Sequence, residues 1–353
     1  MAQVGGHNDK LDLFKCISIY AVVLAHIPLP GQFGWALCAL AKFSVVLFFL
    51  TAGYFSYEKS PRVLARRAAK TGWLLLVTSA ALLLFGCVLA LRQGQTVAAY
   101  LQSRMDPFFL EEIVCYQLLP LPYSWPMWYL ASQFVVYLVW LAMAWAAKKL
   151  GRSLPYNLLA LAAVALLAFH MYHVEWQVLT GGTAWESKLV RNAWLDGFPF
   201  FALGAWFGRH QERIRSLPVK PLWGAAVLCV GLTLLEFGRV GVIDVLLGTT
   251  LLALVLMAIA LASPQVKSPL LRRTACFCGR DLTFYIYVLH VPLYGIVQEW
   301  QGQAAAFAWL MERRWLVTPV MALVSTLLAV GLYGLSRGRR ALGRKRRESH
   351  EHH

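Results

Sequence analysis

Apolar runs of about twenty residues, the length that crosses a bilayer core, recur along almost the whole chain, and no other feature restricts its fold as tightly. About ten are expected, centred near Ala21, Val46, Ala80, Tyr137, Val164, Phe200, Val227, Leu252, Tyr287 and Val324. Hydrocarbon offers the backbone no hydrogen-bond partners, so each run predicts a helix that satisfies itself. The expected fold class is all-α, a polytopic membrane protein. Composition agrees: of 353 residues, 59% are hydrophobic and 14% charged, more apolar surface than a soluble domain can hide. The run AWLDGFPFFALGAWFG is short and contains Asp196 and Pro199; without it, every later segment would change sides.

A net charge of +16 suggests nucleic acid until its distribution is read. With a cytoplasmic amino terminus, the inside connections hold Lys10, then Lys59, Arg62, Arg66, Arg67 and Lys70, then Lys148, Lys149 and Arg152. They continue with Arg209, Arg213, Arg215 and Lys220, with Lys267, Arg272, Arg273 and Arg280, and with the run from Arg337 to Arg347. The opposite side receives Arg92, Arg104, Lys188, Arg191, Arg239, Arg313 and Arg314. This asymmetry predicts about ten helices with both termini cytoplasmic, in the cytoplasmic membrane. The basic charge orients the chain among membrane lipids, and no nucleic-acid partner is expected.

The start MAQVGGHNDK lacks the basic region of a signal peptide, so the first helix is expected to be retained. No internal repeat is evident, which predicts one integral domain over residues 1–336. A basic cytoplasmic tail, 337–353, follows and suits anionic headgroups, with SHEHH reading as an expression-tag remnant. The seven cysteines include Cys276 and Cys278 on the reducing side without zinc-site spacing, so neither a metal nor a disulfide is expected. Two outer connections, roughly 92–125 and 174–191, carry acids and aromatics: Asp106, Pro107, Glu111, Glu112 and LLPLPYSWP in one, Glu175, Trp176, Trp185 and Glu186 in the other. They suit a polar extracytoplasmic ligand or an interfacial aromatic belt.

Within the first run, Lys15 and His26 are eleven residues apart, about three helical turns, so they share a face roughly 16 Å apart along the axis. Ionisable side chains in hydrocarbon are costly and mark function. Imidazole titrates near neutral pH and serves as a general base, although a His at a helix end also serves as a mere interfacial residue. Lys15 can snorkel with Asp12, three residues earlier, as its partner; that account leaves the shared face unexplained. Lys42 lies inside the second run and needs a partner or a wet cavity. His290, followed by Pro292, sits mid-span, either as a buried hydrogen-bonded His or as a shaper of the site. Arg191 and Asn192 stand near the outer end of the sixth run, as acceptor ligands or anchors. His170 and His173, three apart with no third ligand, read as interfacial.

Leu11-Asp12-Leu13-Phe14-Lys15, followed after ten residues by His26, resembles the opening helix of the acyltransferase-3 membrane acyltransferases, where an Arg stands at the position of Lys15. Lys keeps the charge and loses the bidentate fork. VVLFFLTAGYFSYEKSPRVLARRAAK is similar to the family's FF-x-x-SG run, with Ala52 in place of Ser. WPMWYLASQFVVYLVW, RNAWLDGFPFFALGAWFG and LTFYIYVLHVPLY resemble further family segments, in family order over residues 10 to 295. The chain also resembles the membrane domain of vancomycin-resistance serine racemases, whose racemase half has no counterpart here.

The resemblance implies transfer of an acyl group, acetyl as a rule, from cytoplasmic acetyl-CoA to a hydroxyl or amine of an extracytoplasmic glycan or other envelope acceptor. It implies His26 as catalytic base with Lys15 and Asp12 beside the donor, and Arg62, Arg66, Arg67 and Lys70 as ligands for the CoA phosphates. Lys42, Arg191, Asn192, His290 and Trp128 are then expected around the acceptor, with no metal. A transporter or exporter of a small polar metabolite is the alternative from another class, since buried charges and helix-breaking prolines also mark transport sites.

Overall fold

The computed structural model describes residues 7–105, 109–114, 117 and 121–351; Asp106, Pro107, Cys115 and the first three residues of the proline-rich run lie outside them. Eleven longer helices organise the described chain: α1 Asp9–His26, α2 Gly31–Ala41, α3 Phe43–Ser56, α4 Pro61–Arg92, α5 Trp128–Lys149 and α6 Tyr156–Met171. They continue as α7 Phe198–Arg209, α8 Val219–Val240, α9 Leu247–Ala262, α10 Thr283–Trp300 and α11 Arg314–Glu351. Among the described residues there is no strand.

Every expected centre, from Ala21 to Val324, falls inside one of these helices. Six stretches are long and apolar enough to cross a membrane: Gly31–Ser56, which joins α2 to α3 through Lys42, Pro61–Arg92, Trp125–Lys149, Tyr156–Leu179, Val219–Val240 and Arg314–Gly338. The remaining helices fall short for local reasons. α1 carries Asp9, Lys10, Asp12 and Lys15 in its first two turns, α7 and α9 are only 12 and 16 residues long, and α10, which runs unbroken through Pro292, includes the polar His290, Gln298 and Glu299 in its 18 residues. α7 can be short because protein surrounds it: Phe200, Phe201, Ala202 and Ala205 are almost wholly buried. By contrast α4, α6, α8 and α11 expose Trp73, Leu84, Leu161, Leu228, Leu235 and Leu327, large apolar side chains of the kind that lipid covers.

Local chemistry sets the helix ends. Asn8 caps α1 by accepting from the Leu11 N–H at 2.8 Å, and its amide donates to the Ala260 carbonyl at 2.8 Å, which fixes the start of α1 against the end of α9. Pro61 begins α4 at a position where a missing N–H costs nothing. Helix α11 runs on through the basic segment after Ser336 to Glu351.

Helix α3 runs closest to α7, and two glycines make that approach possible. A Cβ on Gly53 would collide with the Phe201 carbonyl, and one on Gly204 with the Leu50 carbonyl, so each helix presents its glycine to the other's backbone. Without a hydrophobic drive between helices in lipid, such close packing supplies much of the association. Gly204→Ala is therefore expected to cost about 1–3 kcal/mol by forcing the pair apart. A lower melting temperature of the detergent-solubilised protein tests this; an unchanged one refutes it.

Candidate active site

Helix α1 is the spine of the site, with one cavity beside Lys15 and another beside His26. Lys15 lines a cavity of about 420 Å³, and His26 lines another of about 350 Å³.

The first cavity is walled by α1, α3, α4, α5 and the start of α10. Its cations are Lys15, Arg67, Lys70 and Arg280. Lys15 Nζ lies 2.6 Å from Asp12 Oδ1, and the buried Asp12 meets His7 Nε2 at 2.6 Å through its other oxygen. Arg67 donates to Ser56 Oγ at 2.8 Å. From α4 the cavity takes Arg67, Lys70, Thr71 and Leu74, the spacing of a single helix face. Arg62 and Arg66 are exposed and do not line the cavity. Arg280 and Gly279 enter from a π-helical turn, Cys278–Leu282, a local widening that often marks functional sites. A Cβ on Gly279 would strike the Asp12 carbonyl, so glycine lets this turn lie against α1.

The second cavity gathers His26, Lys42, Arg191, Asp196, Asp244 and three tryptophans, Trp35, Trp125 and Trp128. Lys42 sits at the join of α2 and α3, where its side chain reaches Asp244 Oδ1 at 3.7 Å. Arg191 Nε donates to the same oxygen at 2.6 Å, and its Nη2 also touches it. Asp244 belongs to the connection between α8 and α9. Burial works to raise its carboxyl, but Arg191 and Lys42 more than offset this and hold it below the usual carboxylate range. Asn192 does not line the cavity. Its side chain accepts from the Trp194 and Leu195 N–H groups, capping the π-helical turn Ala193–Gly197 that carries Asp196 to the wall.

His290 stands behind His26, with ring centroids 5.4 Å apart. It is fully buried, and its Nδ1 lies 2.8 Å from the Tyr287 carbonyl and 3.2 Å from that of Ile286. Only a donor satisfies a carbonyl, so Nδ1 holds a proton and Nε2 of the neutral ring is an acceptor; Nε2 has no partner among the described residues. Aromatic rings run from one cavity to the other: Phe49 to Tyr129 at 4.7 Å, Tyr129 to Tyr287 at 5.8 Å, and Tyr287 to His290 at 6.3 Å. Tyr287 donates to the Pro126 carbonyl, which pins this partition to the start of α5.

Two expectations for the outer connections need correction. His170 is not interfacial: it is completely buried, 3.4 Å from Asp196 Oδ1 and 3.3 Å from the Leu195 carbonyl. The π-helical turn before α7 folds over it. Glu175 is likewise not on an outer loop, because α6 continues through a π-helical turn, Tyr172–Trp176, and buries it. There Glu175 accepts from the Leu247 N–H while Glu236 accepts from that of Gly248, so two carboxylates cap the start of α9. His173 stays near the surface, stacked on Trp185 at 4.0 Å.

Asp244, Asp196, Trp35 and Arg280 were not singled out in the sequence as site residues. Of these, Asp244 had one signal, the requirement of Lys42 for a partner.

Helices without a strand among the described residues, including six stretches long and apolar enough to span a bilayer, with polar cavities between them, make a multi-pass membrane protein. The chain matches the Acyl_transf_3 family, described as an acyltransferase domain, over residues 8–334, and it belongs to that family. It is thus a membrane acyltransferase. No curated protein and no solved structure gives a significant match.

Proposed function

We propose that this protein passes an acyl group, acetyl in the simplest case, from cytoplasmic acyl-CoA to a hydroxyl of an extracytoplasmic glycan or other envelope acceptor. The observation that carries the reading is the placing of His26 and Lys15 on one helix, each in its own cavity, one cationic and one mixed in charge and rich in tryptophan. In this reading the chain crosses the cytoplasmic membrane about ten times, with both termini and the Lys15 cavity on the cytoplasmic side.

The donor's phosphates are anionic and suit Lys70, Arg67 and Arg280, while Lys15, balanced by Asp12, neutralises charge at the cavity floor. The roughly 16 Å rise of α1 between Lys15 and His26 is a distance the narrow pantetheine arm can cover. His26 takes the proton of the acceptor hydroxyl, and the freed oxygen pair attacks the thioester carbonyl. As the tetrahedral intermediate collapses, the carbon–sulfur bond breaks and the sulfur leaves with its electron pair. The imidazolium of His26 returns the proton to that thiolate, which restores the neutral base. His290 offers only an acceptor nitrogen on its free side, which suits it to accept from a bridging water whose oxygen accepts the N–H of His26, and so to orient that ring.

Purified protein in nanodiscs is expected to release CoA thiol from acetyl-CoA, and cells that contain it to carry more ester-linked acetyl in their envelope glycans than cells without it. Loss of both signals sinks the reading. The cationic cavity makes a separate prediction. Lys70→Met is expected to raise the KM for acyl-CoA about tenfold with little change in kcat, since it removes a phosphate contact that serves ground and transition states alike. Arg66→Met, at a residue that does not line the cavity, is expected to change neither; equal effects of the two would refute the assignment.

A further inference from the structure

The outer cavity holds two cations and two carboxyl groups, of which Asp244 alone lies within ion-pair distance of either cation. Arg191 and Lys42 converge on the same atom, Asp244 Oδ1, and Arg191 takes the hydrogen-bonding position. At 3.7 Å Lys42 is in electrostatic reach of that oxygen but outside hydrogen-bond range. Among the described residues no atom accepts from its ammonium group. The Lys42 side chain is only 19% exposed and lines the cavity, so its three donors need oxygen atoms supplied from the cavity. Asp196, the other carboxyl on the wall, faces His170 and forms no ion pair with either cation.

The space beside this unmet charge is about 350 Å³, enough for one sugar-sized unit, and Trp35, Trp125 and Trp128 supply flat apolar surface to it. We propose that the acceptor carries an oxyanion, a carboxylate or phosphate, close to its reacting hydroxyl. Lys42 and Arg191 bind that oxyanion and thereby turn the hydroxyl toward His26 on the same cavity wall. The assignment rests on the acyl-transfer reading for the identity of the ligand as acceptor. The oxyanion site itself follows from the charges. A neutral acceptor of the same shape offers Lys42 only hydroxyl oxygens and no charge to balance it in a largely buried place, so the anionic form, with its charge-assisted hydrogen bonds, binds about 10- to 100-fold more tightly.

The test measures binding without the donor. Tryptophan fluorescence of the protein in nanodiscs is titrated with two matched pairs, D-glucuronate against D-glucose and glycerol 3-phosphate against glycerol. In at least one pair the anion is expected to bind at least tenfold more tightly. Lys42→Gln is expected to abolish the preference and Lys42→Arg to keep it; in both variants Arg191 still balances Asp244, so neither leaves a bare buried carboxylate. No anion preference in either pair, or its survival in Lys42→Gln, overturns the proposal. CoA thiol release is measured on the same samples. Thiol release without an anion preference overturns the oxyanion site alone, whereas an anion preference without thiol release overturns the acyl-transfer reading and supports the site.

Discussion

Replacing His26 by alanine is expected to lower acyl transfer by about 10²- to 10⁴-fold while protein abundance and thermal stability change little. A hydroxyl attacks a thioester slowly unless its proton leaves during the attack, and among the described residues His26 is the titratable side chain of the outer cavity with neither an ion pair nor a hydrogen bond. Asp244 is held by Arg191, and Asp196 faces His170. His290 has its Nδ1 tied to backbone carbonyls and lies behind His26 rather than on the cavity wall. His26→Ala removes a half-buried ring from a cavity edge, so a large loss of stability is not expected. The measurement is single-turnover acetyl transfer in nanodiscs beside envelope ester content in cells. Transfer at more than a tenth of the normal rate would remove His26 from the chemistry, and loss of transfer together with collapse of the protein would reassign it to structure.

The Lys15–His26 relation was legible because it is periodic: both residues lie on one helix, and 3.6 residues per turn fixes their common face. Periodicity alone does not sort the basic residues of α4: Arg66 stands four residues, about 40°, from Lys70, yet the cavity takes Arg67, Lys70 and Thr71 and leaves Arg66 out, so a cluster of four cations in the sequence becomes two in the cavity. Apolar runs fixed the all-helical class. They did not distinguish helices that face lipid from helices that protein surrounds, as α7 shows: its glycines and small residues pack on α3, and its 12 residues need not match the length of a span.

What stayed hidden depends on distant, aperiodic segments. Lys42 announced that it needed a partner, yet nothing in the sequence near it named Asp244, which comes from a connection on the far side of α8. His170 looked interfacial because it ends an apolar run. Its burial comes from the Ala193–Gly197 turn, whose π-helical geometry no simple period predicts. Arg280 was counted only as inside-positive charge, and it reaches the cavity because Gly279 lets its turn press against α1.

Asp244 should matter as much to stability as His26 does to chemistry. Asp244→Asn keeps the shape of the side chain and removes its charge, leaving Arg191 and Lys42 facing each other in a largely buried place. Removing one partner of a buried ionic group costs about 3–5 kcal/mol, because the remaining charges are stranded. A clear fall in melting temperature in detergent is expected, with recovery of part of the loss when Lys42→Gln is added, since the two changes act on one contact. The pH dependence has a definite sign. The folded-state pKa of Asp244 lies below its unfolded value, so its stabilisation is complete above the ordinary carboxylate range and disappears as pH falls through the folded value. The variant should therefore lose the share of acid sensitivity that Asp244 supplies. A melting temperature unchanged in Asp244→Asn at neutral pH would show that the cations are solvated rather than paired, and with it would fall the account of why the outer cavity holds a charge in need of an anion.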